Sequence, residues 1–158
     1  MIRILRQRVL DPLLNLLKQG LSPRDLALCV ALGIGIGLFP VLGVSTPVLT
    51  VVALLLRLNL PAIQIVSYAM SPLQLALIIP FMRFGEWIVG SAPQPMTISA
   101  GMEILTQGVL HAIVTLWDAI VHATIGWILI GPLAIYILFR ILMPILERTA
   151  QRLESSKQ

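Results

Sequence analysis

The residues with chemical capacity are few, and most of them stand beside prolines. Ser45 and Thr46 fall inside Phe39-Pro40-Val41-Leu42-Gly43-Val44-Ser45-Thr46-Pro47. A run of this kind breaks a helix, and it leaves backbone amides and carbonyls without helical partners. Free amides at a helix start attract anions, and the two hydroxyls add to that capacity. Ser71-Pro72 is a second interruption, with Gln64, Ser67, Tyr68 and Gln74 supplying hydrogen-bonding groups around it. Arg57 and Asn59 close the first broken segment. Arg83 stands three residues before Glu86, the spacing of an ion pair on one helix face. The chemistry open to this set is the binding of an anion. Gly43, Ser45, Thr46, Asn59 and Ser71 would line a polar cavity, with Arg57 and Arg83 meeting a negative headgroup. Both arginines also stand at the ends of apolar runs, where the side chain can reach the headgroups as a boundary anchor.

Catalysis finds no comparable support. The chain holds no nucleophile–base arrangement and no convincing carboxylate pair, so no catalytic residue and no enzymatic activity are expected. His111, Asp118 and Glu86 are the only candidate acids and bases, and none is well placed. His111 and Asp118 are seven apart and would share a helix face about two turns from each other. That spacing suits a proton relay or simply two interfacial polar residues. Two histidines and a single cysteine give no metal set, and no cofactor is expected. Cys29 lies in an apolar run and reads as a small buried hydrophobe. Gly33-x-Gly35-x-Gly37 lacks the G-x-G-x-x-G spacing of dinucleotide sites and fits close helix packing.

Composition sets the class. Of 158 residues, 58% are hydrophobic and only 11% charged, with a mean hydropathy of +0.95. A soluble domain carries about 25% charged residues. The chain therefore reads as an all-α integral membrane protein. Intrinsic disorder is excluded by the same hydrophobicity. A net charge of +4 would suggest nucleic acid in a soluble chain. Here the positives flank apolar segments and report membrane orientation instead.

The elements that must position these residues follow from periodicity and punctuation. Residues 1–20 read as a basic amphipathic helix, lying in the headgroup plane or packed on the bundle. Ser22-Pro23-Arg24-Asp25 is a helix start, with Ser22 as cap and Pro23 at the first position. The membrane domain spans 21–146: a broken hairpin 23–58, a span 60–82, an external segment 83–118 and a span 119–146. The two apolar pieces of the hairpin are each shorter than the ~20 residues a crossing needs. They form a re-entrant hairpin or, in a thinned bilayer, two complete spans. Trp117 and Trp127 are placed near headgroup level, and residues 147–158 read as a polar cytoplasmic tail. Lys and Arg cluster in residues 1–25 and 140–158, and residues 84–139 contain none. Both termini are therefore expected in the cytoplasm.

The run from Ala31 through Gly33, Gly35 and Gly37 to Pro40-Val41-Leu42-Gly43 leads to Ser45-Thr46. Arg57-Leu58-Asn59-Leu60-Pro61-Ala62 follows. Over residues 21–90 this resembles the bacterial membrane family catalogued as domain of unknown function 2062. That family's pattern is a glycine-rich helix, a Pro-x-x-Gly turn, a Thr shortly after and an Asn-x-Pro element. A second element, commonly Asn-Pro, is Ser71-Pro72 here, an amide exchanged for a hydroxyl. The resemblance implies a small inner-membrane protein. Some members are fused to glycosyltransferases, which points toward envelope glycolipids or polyprenyl-phosphate carriers. The broken hairpins are also similar in architecture, though not in sequence, to DedA-type lipid translocases. The expected function is binding or translocation of an anionic lipid. The alternative is a non-transporting scaffold or regulator of a membrane enzyme such as a glycosyltransferase. So small a set of membrane elements is expected to assemble as a homo-oligomer, most simply a two-fold dimer.

Overall fold

A computed structural model describes residue 15, residues 21–92 and residues 97–155. The amphipathic helix expected over residues 1–20 lies outside the described residues. Those described are helical, without strands. Helix α1 (Pro23–Gly37) starts as the sequence indicates, Ser22 Oγ accepting from the Asp25 amide at 3.0 Å. It stops where Leu38 leaves helical geometry ahead of Pro40. Helix α2 (Ser45–Leu56) follows the broken turn and ends at Arg57, held in the left-handed conformation at φ 54°. Helix α3 (Leu60–Ala69) is capped by Asn59, whose Oδ1 accepts from the Ala62 amide at 2.9 Å. Helix α4 (Ser71–Val89) begins at the second proline, carries Pro80 within it and ends at Gly90 with φ 74°. Two short helices, α5 (Ile98–Thr106) and α6 (Val109–Thr115), lead to α7 (Trp117–Ser155).

The architecture is organised along α7. At 39 residues it is about 58 Å long, nearly twice the hydrocarbon thickness. Helix α1 lies antiparallel to its C-terminal half, since Gly35 sits against Ile135 and Phe39 meets Trp127. Helix α4 lies antiparallel to its N-terminal half. There Gly85 rests on the His122 carbonyl and Gly126 on the Phe81 carbonyl. Helices α1 and α4 thus line successive stretches of α7. Helix α3 runs alongside α1 in the same direction, from Asn59 beside Cys29 to Ser67 beside Gly37. Helix α2 runs back between the turn and Arg57. The main core joins Leu26, Cys29, Ile36, Leu49, Ile63 and Val66, and a smaller one joins Phe81 and Met82 to Ala119 and Ala123.

Helices α4 and α7 are long and apolar enough to cross a membrane. Only 6% of the apolar window of α7 is buried inside the protein, unlike the core helix of a soluble fold. Leu54, Leu55 and Trp87 are likewise exposed, at 69%, 76% and 76%.

Several details depart from the sequence reading. The expected span 60–82 has its interruption where the sequence sets it, at Met70 ahead of Ser71-Pro72, but its second helix runs past residue 82 to Val89. His111 and Asp118 fall on two different helices, because the chain leaves helical geometry at Leu116, between α6 and α7. His111 instead meets Thr115 at 3.4 Å. The polar stretch from residue 147 continues α7 to Ser155, since Glu, Arg, Gln, Ala and Leu there are good helix formers.

Candidate functional site

The glycines of α1 bring the backbones together around the broken turn. A Cβ on Gly33 would stand 2.9 Å from the Ile63 carbonyl oxygen, and one on Gly37 would stand 3.1 Å from Ser67 Cα. Gly33 and Gly37 therefore face α3, and Gly35 faces Ile135 of α7. Their work is close packing. It also opens the end of α1 to side chains from elsewhere. Trp127 Nε1 donates to the Gly35 carbonyl at 3.0 Å, and its ring meets Phe39 edge-on at 5.0 Å. Trp127, expected at headgroup level, is thus half-buried against the break. An indole supplies both the flat apolar surface and the donor that a helix end with free carbonyls requires.

Gln74, one turn into α4, reaches the same break. It is 6% exposed, and its Nε2 donates to the Phe39 carbonyl at 2.7 Å and to Ser45 Oγ at 3.5 Å. Gln64 of α3 donates through Nε2 to the Thr46 carbonyl and to Thr50 Oγ1, both at 3.3 Å. Its Oε1 is buried and has no partner. Ser45 is 7% exposed, and Gly43 is exposed with φ 82°. Helix α2 has no side-chain cap. Among the described residues, the backbone amides of Val41, Leu42, Gly43, Ser45 and Thr46 donate no hydrogen bond. Five unpaired donors in six positions, at the positive end of a helix, form a concentrated region of positive partial charge.

The family model for "Uncharacterized protein conserved in bacteria (DUF2062)" matches residues 3–154. The chain belongs to this bacterial family. The match extends well past the glycine- and proline-rich residues 21–90, through α5, α6 and nearly all of α7. In the family's terms, the Pro-x-x-Gly turn and α7 are therefore parts of one unit, joined in space by Trp127. No curated protein and no solved structure matches the chain.

The seven residues singled out from the sequence do not converge on one place. Gly43, Ser45 and Thr46 stand at the turn, and Ser71 stands one turn before Gln74 at the start of α4. Arg57 and Asn59 lie beyond the far end of α2, about 18 Å along the helix from Ser45. Asn59 is engaged there, capping α3 and accepting from Cys29 Sγ through its carbonyl at 3.8 Å. Arg83 is about 14 Å along α4 from Gln74 and pairs with the buried Glu86 at 2.9 Å, as its spacing indicates. The structure adds Gln74 and Trp127 to the turn in place of the arginines. Gln74 had a signal, being a polar residue one turn past a proline in an apolar run. Trp127 had none.

Arg57 is the one described non-glycine residue with positive φ, and it is exposed. Arg57→Gly should therefore relieve backbone strain and stabilise the protein by about 1 kcal/mol. A higher unfolding midpoint in detergent checks this, and a lower one would mean that the guanidinium is held.

Proposed function

We propose that the chain is a multi-pass protein of the bacterial cytoplasmic membrane that binds or translocates an anionic lipid, with both termini inside. Envelope lipids and polyprenyl phosphates are the ligand class. The run of unpaired amides at Val41, Leu42, Gly43, Ser45 and Thr46, beside Gln74, supports this reading most directly. Such a group of donors can bind negative oxygen atoms.

The proposed topology follows from charge and register together. Arg24 at the start of α1 and Arg148 near the end of α7 lie at the same end of the antiparallel pair. The positive-inside rule places that end in the cytoplasm. Helices α1 and α2 enter and return there, as a re-entrant hairpin. Helices α3 and α4 together make one crossing, and α7 makes the other. The turn then falls beside Trp127–Ile135, near the middle of the apolar stretch 119–146. Irregular backbone at that depth must be covered by protein or line a wet cavity. A homo-oligomer supplies the cover, and a cavity supplies the path for a headgroup.

The test is native mass spectrometry of protein released gently from the membrane. Wild type should retain anionic lipid in fixed ratio to the subunit. The double variant Ser45→Ala, Thr46→Val should retain roughly tenfold less, with an unchanged unfolding midpoint. Equal retention in the variant removes the turn from the binding site. A lipid-free monomer would replace this reading with the scaffold or regulator of a membrane enzyme.

A further inference from the structure

Ser91 and His122 stand 31 positions apart in the chain and meet where the end of α4 packs on α7. Gly85 rests on the His122 carbonyl, and that close approach brings the two backbones together there. Gly90 turns the chain out of α4 at φ 74°, and the Ser91 amide closes the turn on the Glu86 carbonyl at 2.9 Å. Ser91 Oγ is 3.0 Å from His122 Nε2, and His122 Nδ1 is 2.6 Å from the Asp118 carbonyl oxygen. A carbonyl only accepts, so Nδ1 carries a hydrogen. In the neutral ring Nε2 then holds the lone pair, and the Ser91 hydroxyl donates to it. A hydroxyl on a base that a third group orients is the arrangement that activates serine as a nucleophile. Both side chains are half-buried. Among the described residues the next amide, that of Ala92, donates no hydrogen bond. The amide after the nucleophile is an oxyanion donor in serine hydrolases of another fold.

We propose that Ser91 and His122 form a catalytic pair that hydrolyses the acyl ester of a membrane lipid. Ser91 Oγ attacks the ester carbonyl carbon as its proton passes to His122 Nε2. The Asp118 carbonyl, on Nδ1–H, holds the ring in place and favours the imidazolium. The bond to the alcohol oxygen then breaks, the alcohol takes the proton from Nε2, and the acyl group stays on Ser91. Water attacks that acyl group and gives a proton to Nε2. The bond to Ser91 Oγ breaks, the carboxylic acid leaves and the hydroxyl recovers its proton. Depth and charge select the substrate. Trp87 in the last turn of α4 and Trp117 in the first turn of α7 are exposed, as in the aromatic belt at a membrane surface. Lipid ester groups lie at that boundary between headgroup and acyl chain. Residues 84–139 hold no Lys or Arg, and Glu86 pairs with Arg83, so an uncharged ester with an apolar chain fits. The pair does not depend on anion binding at the turn of residues 41–46.

The experiment treats the full chain in detergent with an alkyl fluorophosphonate, which bonds to an activated serine oxygen with loss of fluoride. Peptide mass spectrometry should place the adduct on Ser91. Ser99 is the internal control: it is exposed, its hydroxyl meets Thr97 Oγ1 and no histidine, and it should stay unmodified. His122→Gln keeps the backbone on which Gly85 rests and removes the base, so labelling should slow at least about a hundredfold. The same preparation should hydrolyse p-nitrophenyl octanoate, and Ser91→Ala should lose that activity. Its kcat/KM for the octanoate should exceed that for the acetate at least about tenfold, since the longer acyl chain has apolar surface to bind. Folded wild-type protein without an adduct on Ser91 overturns the proposal. So does labelling of His122→Gln at the wild-type rate, and equal turnover of the two esters overturns the lipid as substrate.

Discussion

Gly85→Leu and Gly126→Leu are each expected to prevent the chain from reaching its folded state. A Cβ on Gly85 would overlap the His122 carbonyl, and one on Gly126 would overlap the Phe81 carbonyl. Both obstacles are backbone, so no rotamer change relieves them. Helices α4 and α7 must move apart, and the contacts of Phe81 and Met82 with Ala119 and Ala123 go with them. The link between Ser91 Oγ and His122 Nε2, 3.0 Å long, is lost as well. Overpacking alone costs about 1–3 kcal/mol, and forcing two backbones apart reaches the exceptional range above about 4 kcal/mol. In a bilayer the loss is sharper still, since close approach of small residues is a main source of helix association there. Gly90→Ala is the control. Nothing lies within 4 Å of its added methyl, so only the positive φ is strained. That variant should lose about 1 kcal/mol. Tryptophan-fluorescence melts in detergent compare the three. A Gly85→Leu protein that melts with wild type would mean that α4 and α7 do not cross at these glycines.

Features encoded within one or two helical turns were legible from the chain. Ser22-Pro23-Arg24-Asp25 marked the start of α1, and the structure has the Ser22 cap there. The prolines and glycines of residues 39–47 marked the break, and the i, i+3 spacing gave the Arg83–Glu86 pair. Asn59 was legible as important, but its side chain caps α3. Asn-x-Pro is as good a helix start as it is a binding element, and local pattern cannot separate the two. Contacts between distant segments were not legible. Gln74 meets Phe39 across 35 positions and Trp127 meets Gly35 across 92. Nothing beside either residue announces its partner. Gly85 and Gly126 are single glycines, without the repeated spacing that flagged Gly33, Gly35 and Gly37. The interruption at Leu116 carries no proline or glycine, so His111 and Asp118 read as one continuous face. That the two breaks meet is already an expectation from the sequence, which sets Ser71 in one cavity with Gly43, Ser45 and Thr46. The side chain that joins them, Gln74 to the Phe39 carbonyl, needed the fold.

Gln74→Leu should destabilise the protein and, under the proposed function, lower its retention of anionic lipid. Leucine fills nearly the same volume, so the site 6% exposed in wild type stays packed. What disappears is the Nε2 donor to the Phe39 carbonyl at 2.7 Å and the longer contact to Ser45 Oγ at 3.5 Å. The Phe39 carbonyl is then left without that donor in a low-dielectric interior, at a cost of about 1–3 kcal/mol. The larger effect is on geometry. Gln74 is the hydrogen-bonded tie between the end of α1 and the start of α4, and the amides from Val41 to Thr46 lie directly after Phe39. Without the tie the turn loses its hydrogen-bonded anchor to α4. Retention of anionic lipid in native mass spectrometry should fall at least about tenfold. Ser45→Ala separates the two contacts, since it removes only the 3.5 Å one and should change the melting point little. If Gln74→Leu melted with Ser45→Ala, the Phe39 bond would carry nothing, and the turn would owe its shape to Pro40 and Pro47 alone.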